Sequence, residues 1–485
     1  MDHAPRFAIV AARAFERPVT LRLPFRFGNA TVQSAPQAFV EVRIRMDDGR
    51  TVTGAGAELM IPKWFDKNLA RSNERNVDDL RAATLAACRA YAEAAAPATA
   101  FGHAARHHAP LQVAGAQAGR TVLASAFGGA LVDRAVMDAL CRAVDRPFAS
   151  VLGGNLPGID TSLAPDLAGF GIDAFLRTLS LPMTIAVRHT VGMLDALTAA
   201  DAPASPQDGL PVTLEGVIAC YGHRHFKLKL AGDPATDIAR LSGIARVLEP
   251  LPDYAITLDG NEQFTDAGAV AEMASRLRRE PGLRRLASAT LYLEQPLPRD
   301  IALRTPAPTA GSMPMLIDES DDTYDAWPAA RTAGYSGVSS KSCKGLYKSV
   351  VNAMRCAQWN ARGGTARYFL SGEDLTTQAG LALQQDTALA ATLGIAHVER
   401  NGHHYVNGFA GQGAAAPERC AFAAAHPHLY ETRGDNVHVA IRDGKLALDS
   451  LACAGFASAA RPDFAAMTPM CVPDPRPSSH EGKAA

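Results

Sequence analysis

The feature that most constrains this chain is a repeat after residue 180, in which short apolar stretches alternate with amphipathic helical ones. Eight stretches read as strands, at 183–190, 225–230, 255–260, 291–296, 313–320, 337–342, 367–372 and 395–400. Segments such as ATDIARLSGIARVLE and AGAVAEMASRLRR lie between them and carry apolar residues at helical spacing. Strand–helix repetition implies parallel strands joined by right-handed crossovers. Eight strands predict an α/β barrel, with an open doubly wound sheet as the alternative. Lys229, Asp259, Glu294, Asp318, Lys341 and Glu373 recur at intervals of 23 to 35 residues, about one strand-plus-helix unit. They therefore belong at the same end of successive strands. In a barrel that end is the C-terminal face, where active sites are built.

The region before the repeat reads differently. Residues 7–60 carry alternating and β-branched patterns, with Asp47-Asp48-Gly49 as a hairpin turn. Helices are expected at 77–95 and 130–147, the second stopped by VLGGNLPG. The expected organisation is an α+β unit over 1–155, a barrel over 156–405, and a C-terminal segment over 406–485 that frays from about 460. A hydrophobic fraction of 47% excludes global disorder, and 48 Lys plus Arg against 49 Asp plus Glu leaves a net charge of −1. No whole-molecule field draws this chain to nucleic acid or to an anionic membrane. Eight cysteines without a CxxC pair read as free thiols of a reducing compartment. Arg13 interrupts the N-terminal apolar stretch and no apolar run reaches spanning length, so a cytoplasmic location is expected.

The charged strand ends carry the chemistry. Carboxylates gathered around one mouth repel by about 4 kcal/mol per close pair at an effective dielectric near 20. A divalent cation removes the conflict, and an all-oxygen set favours Mg²⁺ or Mn²⁺ over zinc. Lys227 and Lys229 are two apart in FKLKL, so both face inward while Phe226, Leu228 and Leu230 face the helices. Like charge between them is expected to lower an amine pKa toward neutrality, as a base requires. Lys341 approaches from four strands further round.

The ordered set KxK, Asp, Glu, Asp-Glu-Ser and Lys resembles the enolase superfamily, and within it the muconate-lactonizing branch of the mandelate racemase group. AVMDALCRAVDRPFASVLGG (135–154) is similar to that family's helix before its barrel. The resemblance implies a modified TIM barrel, (β/α)7β, behind an N-terminal α+β capping domain and a C-terminal segment returning to the cap. It implies that Asp259, Glu294 and Asp318 hold Mg²⁺, with Mn²⁺ the alternative. Lys229 and Lys341 would then be the acid/base pair on opposite faces of the substrate, and Lys227 would stabilise developing negative charge. The implied half-reaction is removal of the proton α to a carboxylate to give an enediolate, with a racemase or epimerase as the leading outcome. A cycloisomerase, lyase or dehydratase using the same step is the alternative, and a catalytically silent metal-binding barrel the remote one. The partner is a small-molecule carboxylate, and a homo-oligomer is compatible with the pattern.

Departures from the family bear on the substrate. RYFLSGED has no strand-seven histidine, HVERNGHHY no Asp-x-Asp, and Lys344-Gly345-Leu346 replaces a Gly-Gly. Of the neighbours Asp318 and Glu319, Asp318 is taken as the ligand by resemblance. Candidate substrate contacts are Glu373 and Asp374 after strand seven, His189 ending strand one beside Arg188, and His403 and His404 after Arg400. From the cap come Phe25, in a turn with Arg26 and Phe27, and Trp64 beside Phe65, as exposed lid aromatics. His223 and His225 form an HxH of the kind used by amidohydrolases, placed here at the strand's start and away from the carboxylates. GAGAEL (54–59) lacks the context of a dinucleotide loop.

Overall fold

The computed structural model describes residues 4–473 apart from 29, 95, 203–205, 309 and 312. Strands β1 (Phe7–Phe27), β2 (Ala30–Met46) and β3 (Thr51–Leu59) form an antiparallel meander. Its second turn is the expected one, with Gly49 at φ +86° donating its N–H to the Met46 carbonyl at 2.9 Å. Helices α1 (Asn73–Glu93), α2 (Ala100–Gln117) and α3 (Val122–Ala143) pack over the sheet. Each begins at a hydroxyl cap, Ser72, Thr99 or Thr121, that accepts a first-turn N–H. α2 was not expected, because its three histidines, Pro110 and two glycines blur the apolar stripe. The glycines of GAGAEL serve packing. A Cβ on Gly54 would lie 2.2 Å from the Ala139 nitrogen, and one on Gly56 2.9 Å from the Leu131 carbonyl oxygen. Only bare backbone lets α3 lie that close to β3.

All eight expected barrel strands are present: β4 (Thr184–Val191), β5 (His225–Lys229), β6 (Ala255–Asp259), β7 (Thr290–Glu294), β8 (Met315–Ile317), β9 (Gly337–Ser340), β10 (Phe369–Gly372) and β11 (His397–Arg400). Neighbours are parallel throughout, and β11 returns to β4 with Val398 opposite Val187, which closes the barrel. The fold is a capped (β/α)7β barrel. Several strands end earlier than their apolar pattern: β7 stops before Gln295, β8 before Asp318 and β9 before Lys341. Phe226, Leu228, Leu258, Leu293, Ile317 and Val338 face the helices in one apolar cluster. No helix among the described residues is long and apolar enough to cross a membrane.

After the barrel the chain packs on the cap. Phe456 stacks on Phe148 at 4.1 Å, and Arg17 pairs with Glu418 at 3.0 Å. The fraying expected from about 460 is corrected up to residue 473. Thr468–Pro469 pairs antiparallel with β1, and the Met470 N–H donates to the Ala14 carbonyl at 3.0 Å. This edge pairing occupies strand hydrogen-bonding groups that a Pro-rich composition does not advertise. Residues 474–485 lie outside the described residues.

Polar contacts join the cap to the barrel. Arg134 of α3 donates to Ser342, next to Lys341, at 3.0 Å and to Glu58 at 3.1 Å. Asp133, beside it, accepts from the Tyr91 hydroxyl at 2.8 Å, and burial pushes its carboxyl up to about 7. The folded state thus prefers the protonated acid, so stability falls as pH rises from the ordinary aspartate range through about 7. Asp133→Asn keeps an acceptor for Tyr91 and removes the charge. Urea unfolding should show it more stable than the parent by about 2–4 kcal/mol at pH 8, with a difference that shrinks toward pH 4.

Candidate active site

Alternation along the barrel strands turns one set of side chains inward, and that set is polar. Lys227 and Lys229 from β5 face the axis, as the KxK spacing predicts. The Lys227 ammonium lies 2.9 Å from Asp259, 2.8 Å from Glu294, 2.6 Å from Glu373 and 3.0 Å from Glu399. Lys229 donates to Asp259 at 2.6 Å, with Asp259 register-paired to Lys229 on one side and Glu294 on the other. Asp318 leaves β8 inward, accepting from Ser339 and lying 2.5 Å from the Lys341 ammonium. Glu319 turns the other way, to Asn261 at 3.3 Å and to cap residue Lys67 at 3.2 Å. Deeper in, Arg188 pairs with Glu373, and Tyr292 donates to Glu373 at 3.2 Å.

The electrostatics follow from this count. Arg188, Lys227, Lys229 and Lys341 face Asp259, Glu294, Asp318, Glu373 and Glu399, one carboxylate more than there are cations. Lys344 lies 3.5 Å from Asp318 but is paired at 2.8 Å with Asp321. The excess falls on Glu294. Burial, with Asp259 and Glu373 beside it, pushes its carboxyl well above the usual range although Lys227 lies against it. Burial also works against ionised Asp259 and Asp318, yet their lysines outweigh it and hold both below the usual range. The lowered lysine pKa expected from like charge is corrected. Burial disfavours the charge on Lys227, but four carboxylates overcome it and raise its pKa well above normal. Lys341 is raised in the same way by Asp318.

A small cavity sits over this cluster. Lys227, Lys229 and Lys341 form its floor with Asn261, Glu399 and Asn401, and Phe25, Phe27, Ile61, Trp64 and Leu375 its upper walls. Phe25 and Phe27 end β1 instead of forming a turn, paired with Val32 and Ala30, and Trp64 is 3% exposed. The lid aromatics are therefore buried against the mouth, correcting the expectation that they are exposed. The Trp64 ring lies 4.4 Å from the Lys341 ammonium, a cation–π contact. Arg299, paired with Glu262, donates to the Trp64 carbonyl at 3.0 Å and so ties the cap loop to the barrel. Four lining residues carry buried polar atoms without partners: Trp64 Nε1, Asn261 Oδ1, Thr376 Oγ1 and Asn401 Oδ1. Asn261 and Thr376 hold positive φ, at +41° and +56°, strain of the kind that concentrates at binding sites.

Other expected contacts lie elsewhere. Glu373 is on the barrel axis between Lys227 and Arg188, too deep to meet a substrate at the mouth. Asp374 lines the cavity, its oxygens accepting from Thr377 and from the Asn401 N–H at 2.8 Å. Arg400 points outward to Asp386 at 2.8 Å. His189 also points outward, because its strand neighbours Arg188 and Thr190 point in. With His403 and His404 it packs around His223, away from the cavity. Burial pushes His223 down to about 3 and holds His189 and His403 well below the ordinary histidine value. The HxH pair does not converge, since His225 stacks on His397 at 5.0 Å. Residues that sequence reading missed are Glu399, Asn261, Asn401 and Thr376. Their signal was position, just before or after the end of a barrel strand.

No protein-family model matches the chain, and no curated protein matches it. Solved structures do. A muconate lactonizing enzyme from Pseudomonas fluorescens, complexed with muconolactone, aligns over 95% of this chain and 98% of its own at 17% identity, with a TM-score of 0.57. An enolase from Bradyrhizobium, complexed with magnesium and mandelic acid, aligns over 91% and 93% at 18% identity, with a TM-score of 0.58. The L-Ala-D/L-Glu epimerase from Bacillus subtilis aligns over 93% and 98% at 17% identity, with a TM-score of 0.57. What the chain shares with these structures is the fold, a capped barrel.

Lys227 holds this interior together. Lys227→Met should leave four carboxylates facing one another and destabilise the protein by about 3–5 kcal/mol in urea unfolding at pH 8. Leu228→Met, one residue on and facing the helices, should cost less than about 1.5 kcal/mol.

Proposed function

We propose that this protein is a divalent-cation-dependent racemase or epimerase that moves the proton α to the carboxylate of a small, polar substrate. The observation that carries the proposal is the shared cavity of Lys229 and Lys341, presented from the second and the sixth barrel strand across one mouth. The likeness in fold to an epimerase and to an enolase complexed with magnesium supports the reading.

In donor chemistry, three carboxylates with no nitrogen or sulfur suit a hard cation. Asp259, Glu294 and Asp318 are fully buried carboxylates at the ends of consecutive strands, and Glu294 is the one whose ionised form the interior supports least. They would hold Mg²⁺, or Mn²⁺ in its place. The cation supplies positive charge for the second negative charge that a substrate carboxylate gains when its α-proton leaves. Lys229 Nζ takes or returns that proton on one face, and Lys341 Nζ does so on the other. One lysine accepts while the other donates, so the transfer balances without a co-reactant. Trp64 covers Lys341, and Phe25, Phe27 and Ile61 keep water from the reacting carbon. Lys227 is saturated by carboxylates and positions them; it has no donor free for substrate.

The cavity also constrains the substrate. Trp64 offers an unmet N–H, Asn261 and Asn401 unmet carbonyl oxygens, and Thr376 a hydroxyl. A bound molecule must answer both kinds, so its carbon skeleton carries donors and acceptors beyond the carboxylate. Sugar acids, dipeptides and N-acyl amino acids meet that demand, and simple alkyl acids do not. A cycloisomerase or lyase begins with the same proton removal and differs in what leaves afterwards.

Proton NMR in D₂O with Mg²⁺, on pools of hydroxy acids, sugar acids, amino acids, N-acyl amino acids and dipeptides, tests this. An α-proton signal should wash out with the parent protein and persist with Lys229→Ala; Lys341→Ala should retain exchange from only one stereoisomer. Elimination or ring-closed products would replace the racemase with the lyase or cycloisomerase. Absence of exchange in every pool, with Mg²⁺ bound, would overturn proton transfer. Asp259→Asn and Glu294→Gln should keep the native circular dichroism spectrum, weaken Mg²⁺ binding in calorimetry and abolish exchange. A fully active metal-free variant would remove the cation from the mechanism.

A further inference from the structure

We propose that His189, His223 and His403 form a second metal site, for a zinc-class transition cation, on the outside of the barrel wall. Their ligating nitrogens all lie within 4.8 Å of one another. His189 Nδ1 and His403 Nε2 are 3.2 Å apart, close to the separation of roughly 3.3 Å that two imidazole nitrogens take around one tetrahedral zinc. His223 is already set as a ligand. Its Nδ1 faces the Val187 carbonyl oxygen at 3.3 Å, which places the ring proton there and leaves the lone pair on Nε2. That Nε2 is buried and has no partner, on a side chain with no exposure. A histidine tied to a backbone carbonyl by one nitrogen and free at the other is the arrangement that orients metal ligands.

The packing alternative leaves more unexplained. Three imidazoles packed without a cation share a single hydrogen bond, and His223 Nε2 stays unpaired. His404 stands edge-on to His189 and leans toward Asp195 at 3.9 Å, so it supports the cluster from the side. His403 is partly exposed and lines a narrow cleft with Tyr221, Gly402, Val406 and His438, which gives an entry path and a position for solvent as fourth ligand.

The two clusters select different ions. Nitrogen donors without a carboxylate suit Zn²⁺, Cu²⁺ or Ni²⁺, whereas the oxygen set inside the barrel suits Mg²⁺ or Mn²⁺. The location assigns the role. His189 is on β4, the strand that closes the barrel against β11, and His403 follows β11 directly. His223 precedes β5, which carries Lys227 and Lys229. A cation here staples the seam of the barrel and the strand beside it.

The test uses full-length protein stripped with chelator, dialysed into excess Mg²⁺ and titrated with Co²⁺ as the spectroscopic stand-in for zinc. The proposal expects one equivalent of Co²⁺ with a visible ligand-field band in both the parent and Asp259→Asn. It expects binding at least about tenfold weaker in His223→Gln. Zinc should raise the midpoint of thermal unfolding in the parent and leave that of His223→Gln unchanged. Because His223 is buried, His403→Gln, at the partly exposed turn, gives the same reading if His223→Gln does not fold. Two results overturn the proposal: Co²⁺ bound equally by the histidine variants, or no Co²⁺ bound by the parent while Mg²⁺ is present.

Discussion

The barrel depends on one ammonium group. Barrels of this kind usually fill their interiors with layers of branched apolar side chains. Here Lys227 stands on the axis within 3.0 Å of carboxylates from β6, β7 and the ends of β10 and β11. Each acid alone would be costly to bury as an anion, and together they would repel. Gathered on one cation they become mutually supporting, and Arg188 below and Lys229 and Lys341 above extend the alternation of charge. The interior is thus a polar column whose upper end opens into the cavity. The same buried charge that costs stability gives the mouth its reactive groups in fixed positions.

The cap matters because it completes that mouth. Gly54 and Gly56 let α3 approach β3, and α3 in turn delivers Arg134 to Ser342, beside Lys341. From the other side Lys67 reaches Glu319 and the Asn261 carbonyl, while Arg299 holds the backbone of Trp64 and Phe65. The loop that carries Trp64 is therefore tied at its rim by ion pairs and hydrogen bonds, while its ring packs over Lys341. The cap loop and the acids are linked through Asp318-Glu319, whose neighbouring carboxylates serve the barrel and the cap respectively.

Much of this was legible in the chain, for a definite reason. A charged residue in an apolar strand is conspicuous, and a spacing of one strand-plus-helix unit says which end of the barrel it occupies. That logic found the barrel, Lys227, Lys229, Asp259, Glu294, Asp318 and Lys341. It does not say how deep a side chain sits. Glu373 reads like a mouth residue and lies on the axis, because spacing fixes its strand end but not its reach toward Lys227. Glu399 was overlooked within HVER, where Arg400 drew attention, although alternation sends Glu399 in and Arg400 out. Asn261, Thr376 and Asn401 look like ordinary loop polars. What marks them is an unmet hydrogen bond, which only three-dimensional packing can reveal. The histidine triad is likewise assembled from three separate segments, with no spacing to betray it.

The division between Lys227 and its neighbours narrows what can vary in a protein built this way. An ammonium with four carboxylate partners has no donor left to offer, so the part that the resemblance gave it, stabilising charge on the substrate, passes to other groups. The column below the cavity is over-determined: each acid answers at least one cation, and changing any of them disturbs the rest. The cavity walls are under-determined, with aromatic faces from the cap and four polar atoms awaiting partners. On the proposed function, proton transfer would rest on the geometry of the strands, while the choice of substrate would fall to Trp64, Asn261, Thr376 and Asn401.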